Sequence, residues 1–187
     1  MLYTRKGDGG TTKTLHCDQR LSKSSSIAEA LGAVDELNSL LGLVKVKYPD
    51  QAELILSVQQ NLFIVQAELA GAEGKTIAPE KITEIEAVID GIEKELPPIK
   101  SFFISGGTEL AALIDWSRTV ARRAERRVVA ATVATPSLPD GKAGGVEGVK
   151  IGEFSLSYLN RLSSLLYALA RLVNHKSGIK EEPPSYA

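Results

Sequence analysis

Apolar positions recur along this chain at the three- and four-residue steps of an α-helix, in five separate stripes. Ile27, Leu31, Val34, Leu37, Leu41 and Val44 form the first. Ile55, Val58, Leu62, Val65 and Leu69 form the second, in a strict alternation of three and four that makes a narrow seam. Ile82, Ile85, Ile89, Ile92 and Leu96 make the third, closed by Pro97 and Pro98. The fourth runs through Leu110, Leu113, Ser117, Val120, Ala124, Val128 and Ala131. Ile151, Phe154, Tyr158, Leu162, Leu165, Leu169 and Leu172 complete the fifth and longest. No stretch shows a convincing two-residue alternation of the kind a half-buried strand needs. The breaks are small at Tyr48-Pro49-Asp50 and between Gly71 and Gly74, and longer at 135–148, which holds two prolines and four glycines. Such stripes joined by short turns predict an all-α fold, an antiparallel five-helix bundle.

Three segments fall outside the stripes. Residues 1–23 are polar and rich in glycine and hydroxyls, residues 99–108 form an apolar loop ending in Gly106 and Gly107, and residues 178–187 read as a frayed tail. The chain thus divides into an N-terminal loop (1–23), a helical bundle domain (24–177) and a flexible tail (178–187). Long loops are often the functional ones, which directs attention to the first two.

Composition narrows the function. The 187 residues are 43% apolar and 24% charged, enough for one globular domain with its own core. A net charge of −1 and only 5% aromatic residues argue against a nucleic-acid partner. The single cysteine, Cys17, excludes an internal disulfide and a Cys-rich metal site. His16 and His175 lack ligand spacing, so no protein-only metal site is expected. No apolar run is long enough to span a membrane, and the first residues lack a signal-peptide core, so a cytoplasmic protein is expected.

The candidate chemistry is concentrated in Arg118-Thr-Val-Ala-Arg122-Arg-Ala-Glu125-Arg126-Arg127. On a helix, positions 118, 122 and 125 fall within roughly 60° of one another, bordering the buried face. Guanidinium groups held there suit phosphate, which their planar fork meets with two parallel hydrogen bonds; a solvated face of Glu–Arg pairs is the other reading. The leader Thr4-Arg5-Lys6-Gly7-Asp8-Gly9-Gly10-Thr11 could turn backbone N–H groups toward an anion, with Arg20 and Lys23 adding charge, or be a flexible leader. It is not a Walker A loop, because the order Gly-x4-Gly-Lys-Ser/Thr is absent. Asp35 lies at the edge of the first seam, either solvated or paired with an arginine of another element. Asn160 sits beside a core position of the fifth stripe, either satisfied within the bundle or facing a ligand.

Taken in order, Thr4-x-x-Gly7-Asp8-x-Gly10, Lys23, Glu29, Gly32, Asp35-Glu36-Leu37, Gly106-Gly107, the arginine helix and Leu159-Asn160-Arg161-Leu162-Ser163 resemble the ATP:cob(I)alamin adenosyltransferases of the propanediol-utilisation type. The resemblance covers about residues 3 to 175. It implies a ferritin-like five-helix bundle that assembles as a homotrimer with active sites between subunits. It further implies transfer of the 5′-deoxyadenosyl group of ATP to cob(I)alamin, giving adenosylcobalamin and triphosphate. ATP with Mg²⁺ would lie between the N-terminal loop of one subunit and the arginine helix of the next. Thr4, Gly7, Asp8, Gly10 and Lys23 would hold the nucleotide and its phosphates, Arg122 would clamp the terminal phosphate, and Arg118 would pair with Asp35 across the interface. Asn160 would help hold ATP, and Glu125 would order the arginines. Phe102, on a loop with Gly106 and Gly107, would face the corrinoid and exclude the lower axial ligand of cobalt. A reductase and an adenosylcobalamin-dependent enzyme are the implied partners.

That chemistry matches the residue types. Co(I) is itself the nucleophile, so no Cys–His or Ser–His–Asp set is needed, and none is recognisable. Two positions depart from the family's pattern. Ile104-Ser105-Gly106-Gly107 stands where the family usually has Leu-Pro-Gly-Gly, which frees φ at 105. Ser164 stands where Asp usually closes Asn-Arg-Leu-Ser-Asp, which removes a charge. Both departures point to a lower rate or, as the alternative, to a corrinoid-binding or delivery protein with little catalysis.

Overall fold

The structure, a computed structural model, describes residues 3–14, 20–133 and 148–186. His16, Cys17 and nearly all of the 135–148 break lie outside the described residues. A short ribbon opens the chain, with β1 (Thr11–Lys13) antiparallel to β2 (Arg20–Ser22) and Thr12 opposite Leu21. Five helices follow: α1 (Ser26–Lys47), α2 (Ala52–Leu69), α3 (Glu80–Glu95), α4 (Glu109–Thr132) and α5 (Glu153–Lys176). A 3₁₀ turn at Pro49–Gln51 joins α1 to α2. The ribbon is a departure from the strandless reading. Three-residue strands are too short to display an alternation, so periodicity could not reveal them.

Helix starts follow their capping residues. The Ser25 hydroxyl accepts from Ala28 N at 3.3 Å and the Thr108 hydroxyl from Ala111 N at 3.1 Å, each satisfying an otherwise unpaired donor of a first turn. Cross-helix pairs give the directions. Lys47–Glu109, Glu36–Arg123 and Glu29–Arg127 run in opposite senses along α1 and α4, so these two are antiparallel. Asn160–Glu125 and Asn174–Thr108 show the same for α4 and α5. Glu86–Arg161 and Glu95–Lys176 climb together, so α3 runs parallel to α5. Asn61–Tyr158 and Glu68–Ser155 set α2 antiparallel to α5, so successive helices alternate in direction, as the antiparallel bundle requires.

The core lies where the stripes meet. Leu37, Leu41, Leu62, Val65, Ile114, Leu162, Leu165 and Leu169 are fully buried, each worth about 1.5–3 kcal/mol of transfer free energy. Leu162→Ala in this setting costs about 2–5 kcal/mol. The buried Tyr158 hydroxyl accepts from Asn61 Nδ2 at 3.0 Å, and burial pushes its pKa up to about 12. α5 is buried on most sides between Tyr158 and Asn174, whereas α3 buries only Ile85 and Ile92 and leans on α5 from outside.

The C-terminal segment departs from the loose tail expected of it. Ile179 N donates to Asn174 O at 2.9 Å, and Ile104 N donates to Glu182 O at 2.8 Å. Glu181 takes two Arg171 donors at 2.9–3.0 Å. Arg171 is 5% exposed, so the tail carboxylate neutralises a charge buried on α5. A tail read only for its prolines and charges gives no sign of that partner.

Candidate active site

Helix α4 sorts its five arginines by partner. Arg123 reaches Glu36 at 2.5 Å and Arg127 reaches Glu29 at 3.7 Å, so these two tie α4 to α1 along an exposed face. Such exposed pairs contribute at most about 1 kcal/mol each. Arg126 Nη1 donates to the Arg122 carbonyl at 3.1 Å. Arg118 Nε donates to Asp115 Oδ1 at 2.6 Å, one turn back on the same helix. Arg122 is exposed, and among the described residues no carboxylate pairs with it. Glu125 accepts from Asn160 Nδ2 at 2.8 Å, Asn160 Oδ1 accepts from Arg161 Nη1 at 2.9 Å, and Arg161 Nε reaches Glu86 at 2.7 Å. This polar chain links α4, α5 and α3 and fixes the amide of Asn160.

A cavity of about 670 Å³ opens between α3, α4, α5 and the loop after α3. Phe102, Arg118 and Arg122, three of the residues singled out from sequence, line it together, with Ser163, Ser164, Tyr167 and Arg171. Its mixture of apolar loop and arginines is that of a site for a large, partly apolar molecule carrying anionic groups. Phe102 is 80% exposed, flanked by the exposed Ile99 and Ile104. A loop of three exposed large apolar side chains gains nothing from its own core and is suited to covering a ligand. Phe103 turns inward instead, its ring 5.2 Å from the Arg171 guanidinium.

The end of that loop is fixed by Asn174. Its Nδ2 donates to Gly106 O at 2.9 Å and its Oδ1 accepts from Thr108 N at 3.1 Å. Gly107 has φ +96, and a Cβ there would fall 2.2 Å from Asn174 Oδ1. Only glycine permits both that conformation and that approach. A smaller cavity of about 340 Å³ lies against this turn, lined by Ser105, Asp115 and Arg118 among others.

The buried carboxyl of Asp115 meets opposing influences. Burial alone would raise its pKa; hydrogen bonding from Arg118 and then Ser105, with the Arg118 charge, overturns that and holds it below the usual carboxylate range. Burial raises the Tyr167 phenol, which has Arg118 and Arg171 within 6.0 Å of its ring.

The leader forms a second, separate feature. Arg20 closes it, with Nη2 donating to the Lys6 and Thr11 carbonyls and Nε to Thr11 Oγ1 at 2.7 Å. Gly10 N donates to Gly7 O at 3.2 Å and Lys23 N to Gly10 O at 2.9 Å. Gly10 has φ 76. A Cβ on Gly7 would sit 3.2 Å from Lys23 Nζ, so that ammonium lies directly over the turn. Thr4, Gly7, Asp8, Gly10 and Lys23 are thus gathered in one loop, and their hydrogen bonds among the described residues stay within it. Asp35 is exposed on α1, with no ion-pair partner among the described residues; within this chain Arg118 goes to Asp115.

Sequence reasoning passed over Asp115, Tyr167 and Arg171. Asp115 carried a signal, since Asp and Arg three apart on a helix are neighbours. Arg171 carried a fainter one, as a charge inside the run Leu169-Ala170-Arg171-Leu172.

No described helix is long and apolar enough to cross a membrane. The cobalamin adenosyltransferase family matches residues 2–173. The corrinoid adenosyltransferase PduO of Citrobacter freundii is 38% identical over 182 residues, covering 93% of this chain and 50% of the relative. A corrinoid adenosyltransferase of Bacillus subtilis is 35% identical over 187 residues, covering 95% and 89%. The chain therefore spans about half the length of the Citrobacter relative and most of the Bacillus one. Among solved structures, a variant PduO-type ATP:corrinoid adenosyltransferase from Lactobacillus reuteri, complexed with cobalamin and ATP, superposes with a TM-score of 0.84 at 27% identity, covering 100% of this chain and 97% of that one. With the family matched over nearly its whole length, five helices in place and the arginine helix walling a cavity, this chain belongs to the cobalamin adenosyltransferase family.

Proposed function

We propose that this protein transfers the 5′-deoxyadenosyl group of ATP to cob(I)alamin, releasing triphosphate, as a cytoplasmic homotrimer with active sites between subunits. The observation that carries the reading is the cavity in which an exposed apolar loop meets two α4 arginines. The family match and the likeness to a cobalamin- and ATP-bound enzyme support it.

In this reading the electron pair of Co(I) attacks the ribose 5′-carbon. A Co–C bond forms, the C5′–O bond breaks, and its electrons depart with the triphosphate. No proton moves in that step, so the protein contributes position and charge. Arg122, unpaired by any described carboxylate, clamps the terminal phosphate. The leader of the adjoining subunit holds the rest of the nucleotide through Thr4, Gly7, Asp8, Gly10 and Lys23. Arg118 reaches Asp35 across the interface. Asn160 contacts ATP, and Glu125 fixes Asn160 while setting the arginine face. Phe102 covers the lower face of the corrinoid and keeps the axial ligand off cobalt, which eases reduction of Co(II); Gly106 and Gly107 shape its loop. Mg²⁺ arrives with the triphosphate: no described group of three or more His, Cys, Asp or Glu is placed to hold it, and this ion is usually bound through substrate phosphates. An electron donor and an adenosylcobalamin-dependent acceptor enzyme are the partners this chemistry needs.

The test is incubation with ATP, Mg²⁺ and chemically reduced cobalamin. Adenosylcobalamin and triphosphate in equal amounts are expected. Corrinoid binding without either product would replace the enzyme with a delivery protein, the reading that Ser164 in the cavity wall favours.

A further inference from the structure

We propose that Asp115 is a positioning residue for Arg118, and that Ser105 ties the Phe102 loop to the same carboxylate. This rests on the reading that Arg118 serves the active site.

The geometry is specific. Asp115 is 8% exposed, unlike an ordinary solvated partner in a surface i,i+3 pair. A carboxylate at that depth needs a cation, and Arg118 supplies one with Nε at 2.6 Å and Nη2 at 3.5 Å. The Tyr167 ring lies 5.9 Å from the same guanidinium. Two neighbours of different chemistry thus fix the orientation of the fork. Among the described residues nothing accepts from Nη1, which leaves that edge for a second acceptor, a carboxylate of another subunit or a phosphate. An arginine already held by its inner edge loses less freedom when its outer edge engages.

Ser105 adds the second half. It precedes Gly106 on the loop that carries Phe102, and it lines the 340 Å³ cavity together with Asp115 and Arg118. Its hydroxyl favours the charged form of Asp115. Loop and arginine therefore answer to one buried carboxylate, so a shift at the corrinoid-side loop is felt at the guanidinium. Ser105 is one of the two departures from the family's pattern; in this chain it shares a cavity with the α4 carboxylate.

The experiment is a mutant cycle on the full chain, read by adenosylcobalamin formation, with circular dichroism and thermal melting as fold checks. Asp115→Asn is expected to lower kcat/KM about tenfold, the size of one charge-assisted hydrogen bond, and Asp115→Glu to recover part of it. In an Arg118→Met background Asp115→Asn is expected to cause no further loss. Ser105→Ala is expected to lower the four-coordinate Co(II) signal about threefold, and to do nothing in an Asp115→Asn background. If Asp115→Asn alone is silent, or if its loss multiplies with that of an impaired Arg118→Met, the proposal is overturned while the proposed function stands. If Arg118→Met is itself fully active, the role of Arg118 in the site falls and this proposal with it.

Discussion

The two halves of the candidate site are built differently. The cavity behind Phe102 is walled by α3, α4 and α5, and two of its four cations, Arg118 and Arg171, have carboxylate partners inside the same chain. The leader is held by the β1–β2 pairing, a few turn hydrogen bonds and Arg20, and among the described residues Gly7, Gly10 and Lys23 hydrogen-bond only within it. One half is braced by the core; the other is a small preformed turn with its charge outward. The lesson is that a rigid wall and a separate glycine turn suit the proposed reaction, in which the metal of one substrate must be aligned while the leaving group of the other is gripped.

That contrast can be broken most forcefully at Arg122. Arg122→Ala is expected to cut turnover by about 10²–10³ with the bundle intact, measured as triphosphate release. A normal rate would remove the arginine wall from the mechanism. Next comes the brace itself. Glu181→Gln leaves Arg171 buried beside a neutral amide and should cost about 2 kcal/mol in urea denaturation. No shift in the midpoint would mean that the tail carries no load. On the other half, Lys23→Ala should raise KM for ATP about tenfold without altering corrinoid affinity or stability. Loss of stability there instead would show that the leader belongs to the fold.

The smallest effect concerns acid. The folded Asp115 carboxyl titrates below its ordinary range, so on acidification the unfolded chain takes up this proton first. Its contribution to stability is present above the ordinary carboxylate range and fades as pH falls through the folded value. Asp115→Asn should therefore flatten the acid limb of urea midpoints below about pH 4, and leave midpoints at neutral pH without a slope of their own. An unchanged limb would show that the pair does not couple to folding.

Much of this was legible beforehand. The α2 seam appears residue for residue, from Ile55 to Leu69, because a helix buried on one face leaves its period in the sequence. The α4 stripe was legible from Ser117 onward, whereas its first turns bury Ala111 and Ile114 in place of Leu110 and Leu113. Arg118 and Arg122 were found by residue type and helical spacing and Phe102 through the family resemblance, and the cavity joins them. The β1–β2 ribbon was hidden by its shortness. The Arg171–Glu181 pair was hidden because its members lie on a core helix and on a segment read as a tail.

The sequence by itself determined five helices, their alternating course and the residue types suited to a polyanion and an apolar ring, since these follow from local period and side-chain chemistry. Only the tertiary structure decided that α3 packs on α5, that Asp115 holds Arg118, and that the tail neutralises Arg171. Those choices depend on which surfaces meet once the chain is closed. Spacing on a helix could suggest Asp115 beside Arg118 but not the burial that makes the pair matter, and for Arg171 and Glu181, on different elements, it records no proximity at all.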